Sequence, residues 1–338
     1  MSPELRHRWK LAAFKIGCVL VIAFLGLLTL EGAARYLGLG DPVLYYNDAW
    51  GGMRPLPNQK HSRLGGAIVT VDSNGYRTPV PDAPGAMRIL YLGDSLTWGG
   101  SSIDDSAIFS EVAADVLREK NRPVYAMNSG VNATALVNHA EIFQHYVDQN
   151  GRLDAVVWLF PWGDVQRTFA SGGPMFPARY KPKFALVEVI DYLITKFWAN
   201  FLRDVPPTKD DFLTPNRPAG QDLSFEDKCE QERKARNLDA VRGVVAEARR
   251  RGVPIVMGVS PYRNGDDLEP IPDEAKSFLD EMAGDGAIIV DASAALTDES
   301  GSAKGVYLDN VHLSQEGHRR VGRALGAAIN EALSTKGS

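Results

Sequence analysis

From about residue 87 onward, short apolar runs alternate with longer amphipathic stretches. The apolar runs are bounded by glycine, proline or polar residues, which predicts β-strands at residues 88–92, 123–127, 153–160, 254–259 and 287–290. The amphipathic stretches predict helices at residues 107–118, 133–148, 226–251, 273–282 and 314–333. Strands that alternate with helices favour a parallel sheet covered on both faces, which is the α/β class.

The N-terminal segment has a different pattern. Residues 11–30 are apolar apart from Lys15. A helix of about 20 residues is about 30 Å long, which matches the hydrocarbon core of a bilayer. Three basic residues, Arg6, Arg8 and Lys10, precede this run, and Glu31 follows it. The positive-inside rule then places residues 1–10 in the cytoplasm and the rest of the chain outside the cytoplasmic membrane.

Two alternatives compete with a transmembrane helix at residues 11–31. The small residues at 32–34 are compatible with a cleaved signal peptide, although the apolar run is long for one. A buried core helix is the other alternative. The expectation is a single-pass inner-membrane protein with its main domain outside the cytoplasm.

The chain then divides into a connector at residues 32–86, which packs on the main domain, and the main domain at residues 87–338. An insertion at about residues 166–224 interrupts the strand–helix alternation. Within it, residues 184–202 have the composition of an amphipathic helix, which could cover the domain, act as a lid, or contact a membrane surface.

Composition narrows the range of functions. The net charge is −5, which disfavours nucleic-acid binding because such proteins usually carry a basic surplus or a basic face. The two cysteines, Cys18 and Cys229, are not spaced as metal ligands, and a disulfide between them is implausible. We therefore expect no metal site.

The first candidate for chemistry is Ser95, in the segment Gly-Asp-Ser-Leu at residues 93–96. It follows the predicted strand 88–92 and precedes a helix, so it lies at the carboxyl edge of the sheet, where α/β sites form. The backbone N–H of Ser95 can stabilise a developing oxyanion there. Because a serine hydroxyl is a weak nucleophile at neutral pH, it needs a base.

Asp309 and His312 can supply that base. They stand three residues apart in a loop before the last helix. The carboxylate can accept from one imidazole nitrogen, and the other nitrogen then faces a serine from a distant strand end. The alternatives are a helix-capping role for Ser95 and a structural role for His312. We expect His318 to be structural and His139 to lie on the surface or in packing.

These two motifs, in this order and context, resemble those of the SGNH/GDSL hydrolase superfamily over roughly residues 87–335. The resemblance implies a flavodoxin-like three-layer α/β/α sandwich and ester or acyl-transfer chemistry without a metal or other cofactor. It implies Ser95 as nucleophile, His312 as base and Asp309 as the residue that orients the base.

The resemblance also implies an oxyanion hole with three donors. The N–H groups of Ser95 and Gly130 match two of them. The third is an asparagine side chain in the family, but this chain has Gly163 at that position. Loss of one oxyanion donor costs on the order of 3 kcal/mol. The Asn132 side chain and the Gly163 N–H are the candidate substitutes.

Asp94, Trp162 and Asp164 are candidate substrate-binding residues near this site. The resulting hypothesis is an esterase or O-acyltransferase with an acyl-serine intermediate, acting on an ester, most plausibly acetyl, of a cell-envelope glycan. A membrane-bound acyltransferase is a candidate partner. The alternatives are a lipase or lysophospholipase, and a catalytically weak scaffold that binds a glycan.

Overall fold

The structure is a computed structural model that describes residues 2–48, 51–149, 151–169, 181–201 and 223–335. It begins with α1 (Pro3–Tyr36), a continuous helix of 34 residues. The Ser2 side chain caps this helix by accepting the Leu5 N–H, which satisfies one of the unpaired amides of the first turn. The helix is long and apolar enough to cross a membrane. It extends beyond the predicted span of residues 11–31 at both ends.

The connector forms two antiparallel hairpins that residue patterning did not predict. They consist of β1 (Tyr45–Asp48) with β2 (Gly52–Pro55), and β3 (Gln59–Ser62) with β4 (Ile68–Val71). The apolar residues of the connector, including Met53, Val69 and Val71, form a buried cluster with Trp98 and Val131 of the main domain. The connector therefore packs on the main domain.

The main domain contains a five-stranded parallel sheet. Its strands are β5 (Met87–Leu92), β6 (Val124–Asn128), β7 (Ala155–Pro161), β8 (Ile255–Ser260) and β11 (Ile288–Ile289). Between β8 and β11, the two-residue strands β9 (Arg263–Asn264) and β10 (Asp267–Leu268) form a separate hairpin. The order across the sheet is β6-β5-β7-β8-β11, and every adjacent pair is parallel. This is the flavodoxin-like order 2-1-3-4-5. The predicted fold class is confirmed.

Helices cover both faces of the sheet. The helices that follow the connector are α2 (Ser95–Trp98), α3 (Phe109–Arg118), α4 (Leu136–Asp148), α5 (Ala185–Phe201), α6 (Leu223–Arg250), α7 (Asp273–Gly284), α8 (Ala292–Leu296) and α9 (Gln315–Thr335). Each helix predicted in the main domain is present, with ends shifted by a few residues. The stretch at residues 184–202 is helical over α5, and Leu202 lies outside the described residues.

Alternate strand residues point to opposite faces and build two cores. Leu90 and Leu92 pack in the core that α4, α6 and α7 cover. Ile89 and Tyr91 pack in the core that α3, α8 and α9 cover. Since both faces of the central strands are buried, the strands read as continuous apolar runs, as parallel sheets do.

Candidate active site

Ser95 lies at the carboxyl edge of the sheet, as its position in the sequence predicts. β5 ends at Leu92, and α2 begins at Ser95, with two residues between them. A Cβ atom added at Gly93 would collide with the Thr97 side chain, so this tight turn requires glycine. The Asp94 carboxylate accepts the Leu96 N–H at 2.9 Å and holds the start of α2 in place.

The structure brings Ser95, His312 and Asp309 together across a sequence separation of 217 residues. His312 Nε2 lies 2.9 Å from Ser95 Oγ, and His312 Nδ1 lies 2.7 Å from Asp309 Oδ2. The backbone N–H groups of Val311 and His312 donate to Asp309 Oδ1 at 2.8 and 2.7 Å. The loop is thus folded around the carboxylate, which fixes the direction of the imidazole ring.

These bonds also determine protonation. Partial burial acts to raise the pKa of Asp309, but hydrogen bonds from the His312 backbone and ring and from the Val311 backbone lower it below its usual value. The carboxylate therefore stays ionised and accepts the Nδ1 proton. Nε2 is then the unprotonated nitrogen, and it can accept the Ser95 hydroxyl proton.

Beside the serine lies a charge cluster of two buried acids and one partly exposed arginine. Arg167 Nη1 lies 2.7 Å from Asp94 Oδ2 and 3.0 Å from Asp164 Oδ1, although only the Asp94 contact has hydrogen-bond alignment. Both carboxylates are fully buried. Burial and then the nearby Asp94 charge raise the pKa of Asp164 well above its usual value. The cluster therefore holds Asp94, and with it the turn that carries Ser95.

Two of the predicted oxyanion donors have different surroundings. The Ser95 N–H has no hydrogen-bond partner among the described residues. Gly130 packs against the α2 turn so closely that a Cβ there would collide with the Trp98 amide. The Gly130 N–H donates to Asn128 Oδ1 at 3.0 Å. A donor role for Gly130 stays a prediction, and it requires that N–H to share or exchange this bond.

The two predicted substitutes for the third donor differ as well. The Gly163 N–H donates to the Tyr262 hydroxyl at 3.1 Å, so it is already engaged. Asn132 is half-buried, and its Oδ1 has no partner in the described part of the chain. A Cβ at Gly163 would collide with the Tyr262 hydroxyl. The phenol oxygen of Tyr262 therefore occupies the space that a side chain at residue 163 would fill.

Tyr262 is held by contacts on both sides of the site. It follows β8, the neighbour of the strand that leads to Gly163. The next residue, Arg263, donates its N–H to the Asn310 carbonyl at 2.9 Å, within the loop that carries His312. The preceding residue, Pro261, accepts the Tyr307 hydroxyl at 2.7 Å. Burial raises the pKa of Tyr262, so its hydroxyl keeps the proton.

Sequence patterning missed Tyr262. The one available signal was its position directly after a central strand, at the edge where Ser95 lies. The pairing of Arg167 with Asp94 and Asp164 was also missed, because the charge of an arginine does not show in the sequence which acids it will contact.

The three predicted substrate-binding residues have buried positions. Trp162 is 9% exposed and packs against Phe278, with ring centroids 6.0 Å apart. Asp94 and Asp164 belong to the charge cluster and do not reach the surface. Contact with a substrate would require all three to move, so this role stays a prediction.

Two other histidines are fully buried and are not part of the Ser95–His312–Asp309 chain. Trp158 Nε1 donates to His139 Nδ1 at 3.2 Å. The Phe109 N–H donates to His318 Nδ1 at 3.3 Å. Burial lowers the pKa of each imidazole to about 3. Both rings are therefore neutral at physiological pH and have packing roles.

A cavity of about 630 Å³ lies beside the cluster, between α4 and α6. Arg167, Glu141 and Arg236 are among its lining residues, whereas Ser95, Asp309 and His312 are not. The exposed fractions of the His312 and Asp309 side chains are 43% and 52%. Among the described residues, none encloses the serine in a deep pocket, and the site is open to solvent on the side of His312 and Asp309. No group of three potential metal-ligating side chains occurs among those residues.

Comparison with known proteins gives weak similarities. No protein-family model and no curated protein matches this chain. Among solved structures, it is similar to an acetylxylan esterase from Geobacillus stearothermophilus, with 15% identity and a TM-score of 0.42 over 72% of this chain and 95% of the other. It is also similar to a member of the lipolytic protein G-D-S-L family from Veillonella parvula, with 13% identity and a TM-score of 0.40 over 70% and 94%. Similarity at this level does not transfer a function, so the chemistry must be inferred from the geometry.

Proposed function

We propose that this protein is a serine hydrolase that acts on acyl esters through an acyl-serine intermediate. One observation carries the proposal: Asp309, His312 and Ser95 form a continuous hydrogen-bonded chain with distances of 2.7 and 2.9 Å. An ionised acid, a base in a fixed tautomer and a half-buried serine hydroxyl are the parts that nucleophilic acyl transfer requires.

The reaction follows from these positions. Ser95 Oγ attacks the ester carbonyl carbon while His312 Nε2 takes its proton, and the resulting imidazolium is stabilised by Asp309. The oxyanion is bound by the free Ser95 N–H, by the Gly130 N–H where it shares its bond, and by the Tyr262 O–H. His312 then returns the proton to the leaving alcohol. Water, or a second alcohol, attacks the acyl-enzyme by the reverse route.

Tyr262 is the third donor in this proposal. Its oxygen accepts the Gly163 N–H, and its own proton has no acceptor among the described residues. Because a phenol is both donor and acceptor, the bond to Gly163 orients it while leaving the O–H free to donate. The tyrosine thus provides the hydrogen bond that a side chain at residue 163 does not.

The proposed substrate is a small acyl ester, most plausibly acetyl, of a cell-envelope glycan. Arg6, Arg8 and Lys10 precede the apolar part of α1, which favours a single-pass inner-membrane anchor with the active site outside the cytoplasm. The open surface around His312 supports a large acceptor, since a polymer can reach an exposed site. If a sugar hydroxyl replaces water as the acyl acceptor, a membrane-bound acyltransferase is the partner that would supply the acyl group.

A lipase or lysophospholipase is the second candidate, favoured by exposed apolar residues at and before α5, such as Leu193 and Phe184. Rates on p-nitrophenyl acetate and on a long-chain p-nitrophenyl ester separate the two. The proposed function predicts the higher kcat/KM on acetate.

Labelling with a fluorophosphonate probe tests the nucleophile. The full chain in detergent should label at Ser95, and Ser95→Ala and His312→Ala should each abolish labelling. Ser102→Ala, which removes an exposed hydroxyl seven positions away, is the matched control and should label normally. Labelling that persists in Ser95→Ala would refute the proposal.

A further inference from the structure

The N-terminal half of α5 has an exposed apolar face. Ile190, Leu193 and Ile194 are about half exposed, and Phe184, which precedes the helix, is 61% exposed. Positions 190, 193 and 194 have the i, i+3, i+4 spacing of one helix face. In the part of the chain that the structure describes, this face has no cover. Several large apolar side chains in one stripe usually mark a contact surface.

The start of α5 is bound to the end of α1. The Glu31 carboxylate of α1 accepts the N–H groups of Ala185 and Leu186 at 2.9 and 3.0 Å. Arg35, one turn further along α1, donates to the Lys183 carbonyl at 2.9 Å. Glu31 therefore caps the first turn of α5, where a negative charge stabilises the free amides.

A second set of contacts fixes the first turns of α5 to the connector. Glu188 forms a buried ion pair with Arg63 at 2.5 Å and accepts the Gly40 N–H at 2.6 Å. A Cβ at Gly40, which has a φ of +92°, would lie 2.9 Å from Ala185 Cα. The backbones of the connector and α5 thus approach closely. Together, the two sets of contacts join α1, the connector and the start of α5 to one another.

The position of Glu31 along α1 then sets the height of α5 at the bilayer. The apolar run of α1 covers residues 11–30, which at about 1.5 Å per residue fills the hydrocarbon core. Glu31 directly follows this run and lies at the level of the headgroups. The first turn of α5 is bonded to Glu31 and must therefore lie at the same level.

We propose that α5 is an interfacial helix that lies on the surface of the membrane crossed by α1. Phe184, Ile190, Leu193 and Ile194 would insert between the headgroups, as the apolar side of such helices does. The exposed Lys183 and the half-exposed Arg35 beside them suit contact with anionic headgroups. In this proposal, the apolar face of α5 contacts the phospholipid surface and not a protein partner.

Site-specific fluorescence quenching tests this on the full chain in lipid nanodiscs. Single cysteines are labelled with bimane in a background with Cys18→Ser and Cys229→Ser. The variants are Leu193→Cys, Asp280→Cys on the exposed side of α7, and a chain that keeps the native Cys18 in the middle of α1. Each is measured in phosphatidylcholine/phosphatidylglycerol nanodiscs with and without doxyl-labelled phosphatidylcholine. Ester hydrolysis is recorded on every variant, which separates this test from that of the proposed function.

The proposal expects quenching at Leu193→Cys at least about threefold stronger than at Asp280→Cys, and comparable to that at Cys18. Equal quenching at residues 193 and 280 would overturn it. Protection of the 193 label from aqueous iodide without lipid quenching would also overturn it, since a protein would then cover the face. Absence of quenching at Cys18 would overturn the premise that α1 lies in the bilayer, and the proposal with it.

Discussion

The Tyr262 hydroxyl accepts the Gly163 N–H at 3.1 Å and occupies the space where a side chain at residue 163 would begin. Tyrosine and glycine are therefore complementary, because the small residue makes room for the phenol and its amide orients the phenol oxygen. In the proposed reaction, the Tyr262 O–H, from the segment that follows β8, takes the place of the asparagine side chain that residue 163 lacks.

Tyr262→Phe should lower kcat for ester hydrolysis by on the order of 10²–10³ with little change in KM, because the donor acts mainly on the charge of the transition state. Steady-state kinetics on p-nitrophenyl acetate give both constants. Tyr46→Phe, at a half-buried tyrosine of the connector, is the matched control. A kcat within about twofold of the parent chain would remove Tyr262 from the oxyanion hole.

Gly163→Asn should lower activity instead of restoring it, because the new Cβ collides with the Tyr262 hydroxyl. In the double variant Gly163→Asn/Tyr262→Phe, the nearest ring atom is Cζ, 3.6 Å from that Cβ, which is an ordinary contact. The double variant should therefore be more active than Gly163→Asn alone. Strictly additive effects would contradict this coupling, and a double-mutant cycle on kcat measures it.

Asp309→Asn should reduce kcat by on the order of 10²–10⁴, since an amide favours the wrong imidazole tautomer and cannot stabilise the imidazolium. Fluorophosphonate labelling of Ser95 should slow in parallel. Asp266→Asn, at an exposed acid of the β9–β10 turn, should leave both rates unchanged. A labelling rate equal to that of the parent chain would show that His312 does not depend on Asp309.

Arg167→Met should destabilise the fold by about 2–4 kcal/mol, because it leaves the buried Asp94 and Asp164 without their cation. The side chain of Arg167 is 34% exposed, which favours the lower part of this range. Burial already raises the pKa of Asp164, and loss of the arginine should raise it further, so the loss of stability should be largest at high pH and smaller as the pH falls. Denaturant titrations at pH 5 and pH 8 measure the difference. Arg167→Lys, which keeps the positive charge, should lose less unfolding free energy than Arg167→Met at both pH values.

The buried histidines predict acid sensitivity. Burial lowers the pKa of His139 to about 3, whereas an unfolded histidine titrates near about 6.5. Its neutral form therefore contributes stability above about pH 6.5, and this is lost as the pH falls toward about 3 because only the unfolded state binds the proton. In His139→Gln, the slope of unfolding free energy against pH in this window should decrease by up to about 1.4 kcal/mol per pH unit. An unchanged slope would contradict the assignment.

The main domain was predictable because the central strands of its sheet are buried on both faces and therefore read as apolar runs. The segment at residues 88–92 is one example. The start of α4 was predicted three residues early because Ala133 has a positive φ of 60°, which the residue type does not indicate. The connector hairpins were missed because their strands have four residues each, too few to show a clear alternation.

The candidate site, like the fold, has residues that the sequence could predict and residues that it could not. Ser95, Asp309 and His312 were predictable because each motif is local in sequence and has a recognisable position before a helix. Tyr262 was not, since its role depends on an empty space at Gly163, 99 positions earlier in the chain. The pairing of Arg167 with Asp94 likewise joins residues 73 positions apart, and only the folded sheet brings them together.

The distance of 217 positions between Ser95 and His312 has a consequence for biosynthesis. At about 5–20 residues per second, the ribosome adds the base on the order of tens of seconds after the nucleophile. During that interval the nascent chain carries a serine that cannot be activated, and α1 has already emerged to be targeted. In the proposed function, hydrolytic competence would arise late, when nearly the whole chain has left the ribosome, and the cytosol would be spared an active esterase before the proposed export.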